Sequence, residues 1–150
     1  MIGPFQELLR ELGHLFHMKL HADTIGACSI LIPPELIVQL QLDPAQEKLF
    51  LFAKVVELPP GKFRENVLSE ALKANGMPDP LPGILGYIHP TNHLALFQNY
   101  PLLILNGERL ANLLGGFVEM AENWRKAVQS GNSAPPSLAQ SQRKFFERKP

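Results

Sequence analysis

A chain of 150 residues, 45% of them hydrophobic, is long enough for one domain with its own core and no disulfide or metal to brace it. The single cysteine, Cys28, excludes an internal disulfide and suits a reducing cytoplasm. The formal charge of zero is uneven: residues 1–130 hold thirteen acids against ten bases, residues 131–150 four bases against one acid.

A mildly acidic body lacks the clustered cations that a nucleic-acid platform requires. No basic start followed by an apolar run is present, so no signal peptide is expected. Nor does any stretch approach the roughly 18 apolar residues of a membrane span. The expectation is a soluble, cytoplasmic protein with no nucleic-acid partner and no membrane insertion.

Along the chain, PFQELLRELGHLF places Phe5, Leu8, Leu9, Leu12, Leu15 and Phe16 at helical spacing, with Pro4 suited to the first turn. Glu7 and Glu11 sit early, where the helix dipole favours acids. ACSILI then reads as a strand ended by Pro33-Pro34, which cannot donate ladder hydrogen bonds. In LIVQLQLD, Leu36, Val38, Leu40 and Leu42 alternate with polar positions, the pattern of a half-buried strand. KLFLFAKVVEL is a third strand, apolar on most of both faces, and the three predict an antiparallel meander.

The period changes at PPGKFRENVLSEALKANG, where Phe63, Val67, Leu68, Ala71 and Leu72 predict a second helix stopped by Asn75-Gly76 in a left-handed turn. A proline-rich loop follows, then strands ILGYIH and LALFQNY joined by PTNH. Asn106 is a good N-cap for a last helix whose stripe runs from Leu110 through Phe117 and Trp124 to Val128. Gly115 and Gly116 within it predict close packing of another element. Beyond Gly131 the composition shifts to Ser, Pro, Gln and charge, predicting a disordered basic tail over 131–150. The order is α-β-β-β-α-β-β-α, an α+β fold with one twisted antiparallel sheet flanked by helices.

Histidine carries the only chemistry worth weighing. His14, His17 and His21 fall at helix-like intervals, but the first two point away from the apolar face and no motif completes a metal site. His89 and His93 bracket the last hairpin without a third ligand or an H-E-x-x-H pattern. Cys28 lies inside an apolar strand, and no nucleophile elbow or phosphate loop occurs. What is in surplus is apolar surface. Either both sheet faces are covered within the chain, or patches await a partner.

Several segments, in order over residues 5–128, carry a resemblance. They are FQELLRELG, IGACSILI, the leucine-alternating second strand, FAKVVELP, KANG, GILGYI and LALFQNYPLLILNGERLANLLGGFVEMAENWR. The helix-ending Ala74-Asn75, the L-x-L-x-x-x-x-P-L pattern from Leu94 and the F-V-x-x-A-E-x-W pattern from Phe117 are the most specific. Together they resemble the class I type III secretion chaperones of bacteria, the CesT/SycE-like or Tir chaperone family, with residues 1–130 as the chaperone domain.

The resemblance implies a homodimer, or a heterodimer with a related chaperone, without catalytic residues, cofactor or metal. Such a chaperone binds a segment near the N-terminus of a secreted effector and keeps it soluble and extended for export. Carried onto this sequence, effector contacts fall on Phe5, Leu8, Leu12, Ile30 and Ile32, and dimer contacts on Val67, Ala71, Ile84, Gly86 and Ile88. The alternative is a regulatory adaptor of the same fold that binds a regulator or apparatus component through Arg143–Lys149. A small metal-dependent enzyme using His89 and His93 is the third reading.

Overall fold

The computed structural model describes residues 3–136, so the basic tail expected over 131–150 lies outside the described residues from 137 onward. Its first helix, α1, spans Pro4–Phe16, with Pro4 in the first turn and Glu7 near the positive end of the dipole. It stops at His17, a left-handed cap (φ 55°), where the Met18 N–H donates to the Gly13 carbonyl at 2.9 Å.

Strands β1 (Ala27–Ile32), β2 (Leu36–Leu42) and β3 (Lys48–Glu57) follow as the expected meander. Helix α2 (Lys62–Asn75) then crosses to β4 (Ile84–Ile88). A single 3-10 turn over His89–Thr91 reverses the chain into β5 (His93–Pro101). A second 3-10 turn leads to α3 (Gly107–Gln129), where the Asn106 side chain accepts from the Arg109 N–H at 2.8 Å, the predicted N-cap.

The sheet order is β1-β2-β3-β5-β4, antiparallel throughout. Since β5 pairs with β3, the crossover through α2 leaves β4 on the far edge.

Period-two patterning sorts the strands onto two faces. Val38, Leu40, Leu49, Leu51, Ala53, Leu94 and Leu96 are completely buried, and they share one cluster with Leu9 and Leu12 of α1, Val67 of α2, and Leu110 and Phe117 of α3. All three helices therefore serve one face of the sheet. Ala134, beyond α3, still packs against this core.

Two local readings change. Helix α2 does not end in a left-handed turn: Gly76 stays right-handed (φ −88°), its N–H donating to the Leu72 and Lys73 carbonyls, both at 3.2 Å. Of the two α3 glycines, only Gly116 meets a neighbour, since a Cβ there would sit 3.5 Å from Pro82, while one at Gly115 would face open space.

Candidate functional site

Among the described residues no helix lies over the second face of the sheet, which mixes polar positions such as Gln39 and Asn99 with large apolar ones. Strand register aligns Gln39, Phe52, Phe97 and Ile84 in one row across β2, β3, β5 and β4. Phe50 lies beside that row, and Leu31 pairs with Ile37 at the other end. Leu31, Ile37, Phe50, Ile84 and Phe97 keep 40–56% of their surface exposed, far above what scattered surface side chains need explained. Gly86 has no side chain because the Phe97 ring covers it: a Cβ there would meet Cε1 at 2.9 Å. Phe97 thus lies down across β4, widening the flat apolar surface.

Each outer edge of the sheet has one residue whose backbone is satisfied from outside the sheet. On β1, the Gly26 carbonyl accepts from Leu42 N–H at 3.0 Å, so the antiparallel alternation turns the groups of Ala27, Ser29 and Leu31 outward. Asp23 takes both groups of Ala27: its Oδ1 accepts from the Ala27 N–H at 2.9 Å, and its own N–H donates to the Ala27 carbonyl at 2.8 Å. Ser29 and Leu31 have no hydrogen-bond partner on that side among the described residues. They form a short open edge.

On β4, the carboxamide of Asn75 satisfies Leu85. Its Nδ2 donates to the Leu85 carbonyl at 2.8 Å, and its Oδ1 accepts from the Leu85 N–H at 3.0 Å. One side chain thereby imitates a neighbouring strand. Further along, Tyr87 packs under Arg64 of α2, with the guanidinium 5.3 Å from the ring centroid and Nη1 donating to the hydroxyl at 2.8 Å. The Tyr87 hydroxyl donates in turn to Asn92 Oδ1 at 2.6 Å, fastening the hairpin to α2.

Where β2 and β3 separate beyond Val38 and Ala53, a cavity of about 520 Å³ opens. Register slips at Lys54/Val56, and Ile37, Phe52, Val56 and His93 line the walls, with Arg125 of α3 alongside. Arg125 is buried, and it donates to Glu122 at 2.7 Å and lies 2.9 Å from Glu35 in the β1–β2 turn. A buried guanidinium needs such partners, and here the pairing ties the Pro33-Pro34-Glu35 turn to the helix layer.

The residues assigned from the sequence divide by burial. Phe5, Leu8, Leu12 and Ile30 are interior, packed between α1 and the sheet, while Ile32 is half-buried at the end of β1. In the single chain the first four contribute to the core and present no surface; the apolar groups that α1 does expose are Leu15 and Phe16, at its end. Val67 and Ala71 are likewise buried, whereas Ile84, Gly86 and Ile88 lie together on the open face of β4.

His89 is exposed at the hairpin turn, its ring edge-on to Tyr87 at 6.3 Å, and His93 pairs with Glu57 across β3 and β5. Among the described residues no three His, Cys, Asp or Glu side chains gather as a metal site. Cys28 is buried, and desolvation pushes its thiol pKa up, away from a reactive thiolate.

Asn75, Asp23 and Arg125 escaped the sequence reading. Asn75 sits where a helix stop is normal, Asp23 in an unpatterned loop, and Arg125 among ordinary surface charges of a long helix. Each acts on a residue ten or more positions away or on a strand edge, and no local period encodes that.

The profile of the Tir chaperone protein (CesT) family matches residues 7–125. A search of curated proteins finds no match. Among solved structures, the chain is similar to one in the HopA1–SchA chaperone–effector complex, with 23% identity and a TM-score of 0.67, over 83% of this chain and 94% of that one. It is also similar to one in the complex of the Yersinia pestis type III secretion chaperone SycH with a stable fragment of YscM2, with 18% identity and a TM-score of 0.64, over 78% and 96%. A third is a chain of the ExoT–SpcS complex from Pseudomonas aeruginosa, with 20% identity and a TM-score of 0.58, over 81% and 97%. Among the described residues no helix is long and apolar enough to cross a membrane.

Proposed function

The chain belongs to the Tir chaperone protein (CesT) family, and from that membership we propose that it binds the N-terminal segment of a type III secreted effector and holds it partly extended for export. It is a chaperone and not an enzyme. Its place of action is the bacterial cytoplasm, where effectors wait before secretion.

The observation that carries the reading is the open backbone of Ser29 and Leu31 beside the uncovered apolar face that begins with Leu31 and Ile37. An extended segment satisfies such an edge with main-chain hydrogen bonds, while alternate side chains settle on apolar surface. Ile32, half-buried at the end of β1 on the helix-covered side, meets the alternate side chains of the segment that fall on that side. Phe5, Leu8, Leu12 and Ile30 support it from the core beneath.

A second copy, or a related chaperone, covers the β4 end of the same face. Ile84, Gly86 and Ile88 make that contact, and Val67 and Ala71 hold β4 in place from below. Burying each large apolar side chain contributes roughly 1.5–3 kcal/mol, so a few of them suffice to favour a dimer.

The test is coexpression with candidate secreted proteins from the native cell, followed by light scattering and limited proteolysis. The expected result is a dimer that protects a short segment near the effector N-terminus. A monomer that retains no secreted protein overturns the reading.

A further inference from the structure

Given the effector-binding reading, we infer that Arg125 and Glu35 are positioning residues for the β1 edge. The pair fixes the β1–β2 turn and so sets how Ser29 and Leu31 meet an added strand.

β1 is an outer strand whose one ladder partner is β2, and its two ends are held by different means. At its start, Asp23 takes both backbone groups of Ala27, at 2.9 and 2.8 Å. The turn at its end has no such backbone support. Pro33 and Pro34 have no N–H to donate, and among the described residues Pro33, Pro34 and Glu35 make no hydrogen bond between backbone groups. What fastens this turn is a side chain: the Glu35 carboxylate lies 2.9 Å from Nη1 of Arg125 on α3.

Burial separates the roles of the two acids on Arg125. The Arg125 side chain is 9% exposed and that of Glu122 17%, and Nη2 of Arg125 donates to Glu122 at 2.7 Å. Glu122, three residues earlier on the same helix, therefore already compensates the buried charge. Glu35 is 67% exposed, and a carboxylate that wet adds little to global stability. Its contribution is directional. The planar guanidinium, held by Glu122 and by its own burial, offers Nη1 at one fixed place, and the turn is drawn to it.

The neighbouring cleft is why the turn needs this tie. Leu36 and Ile37 pair with β1, but β3 has already left β2 beyond Val38 and Ala53. The corner made by Ile32, the turn and Leu36 thus lacks a neighbour on that side. Without Glu35 it is free to swing over the cleft, and Leu31, next to Ile32, swings with it.

The experiment compares the full chain with Glu35→Gln, which keeps the side-chain shape and removes its charge. The control is Lys54→Gln, a charge change on the same cleft outside the pair. By the alternation that turns Ser29 and Leu31 outward, the amides of Ile32 and Leu36 join the two strands beside the turn. In Glu35→Gln these amides should exchange at least about tenfold faster, a local opening. The Cys28 amide, at the Asp23 end, and the thermal midpoint should stay as in wild type. The secreted protein retained by wild type on coexpression should leave Glu35→Gln about fivefold faster. Lys54→Gln should match wild type throughout.

Unchanged exchange at Ile32 and Leu36 overturns the inference, as does an increase shared by Cys28 with a lower thermal midpoint. So does an unchanged dissociation rate, or an equal effect of Lys54→Gln. A wild type that retains no secreted protein instead overturns the effector reading, and the exchange data still decide whether the pair holds the turn.

Discussion

Leucines 51 and 96 and phenylalanines 50 and 97 occupy the same two central strands, yet the leucines are completely buried and the phenylalanines are about two-fifths exposed. One face of the sheet lies under three helices; the other carries side chains as large and as apolar with nothing above them among the described residues. The edges do not repeat the contrast: Asn75 satisfies Leu85 on β4 and Asp23 satisfies Ala27 on β1, while the outward backbone groups of Tyr87, Ser29 and Leu31 have no partner among the described residues. Within one sheet, covered positions stabilise the monomer, and uncovered positions are available to partners.

The comparison breaks most visibly at the covered face. Leu51→Ala should cost about 2–5 kcal/mol in urea unfolding, because the dense layer around it cannot collapse onto the lost volume. A loss under 1 kcal/mol would mean that the face is not a packed interior.

Asn75→Ala is next. It leaves the Leu85 N–H and carbonyl without their partner and should cost about 1–2 kcal/mol. Hydrogen exchange gives the sharper readout: the Leu85 amide should lose protection while Ser29 and Leu31, already open, exchange as before. Adding the effector should then protect Ser29 and Leu31. Unchanged exchange at Leu85 would show that the Asn75 carboxamide does not hold that position of the β4 edge.

Phe97→Ser should change stability by about 1 kcal/mol or less, as expected of a side chain with much of its surface in water. Its effect should appear in assembly, as a weaker dimer or weaker effector retention in coexpression. The smallest effect concerns Cys28. With its thiol pKa raised by burial, alkylation near pH 8 should be far slower in the native protein than in urea. The folded state also holds that proton more tightly than the unfolded one. This contribution is therefore present below the ordinary thiol range of about 8.5 and is lost as pH rises through the folded value.

Much of this fold was legible because burial has a period. The alternation in LIVQLQLD marked the covered face of β2, and the 3–4 spacing from Leu110 to Val128 marked the buried side of α3. At the candidate site the same signal does not separate core from docking surface. Phe5, Leu8, Leu12 and Ile30 are periodic and apolar, which a core requires and a docking surface only imitates. Periodicity reports that one side of an element avoids water, and it is silent on whether the covering comes from this chain or another. The histidines at positions 14 and 21 lie on either side of the Gly13 reversal, a backbone approach in space that no period encodes.

By itself the sequence determined the element order, the antiparallel meander, the start of the last helix at Asn106 and the family, since local periods, caps and ordered motifs are properties of neighbouring residues. Only the tertiary structure decided that β5 inserts between β3 and β4, that the three described α-helices gather on one face, and that Asn75 and Asp23 each satisfy one position of a strand edge. These outcomes depend on which groups meet after the chain has folded back on itself. Hydrogen bonds between residues distant in sequence, and helices competing for one face, leave no period to read.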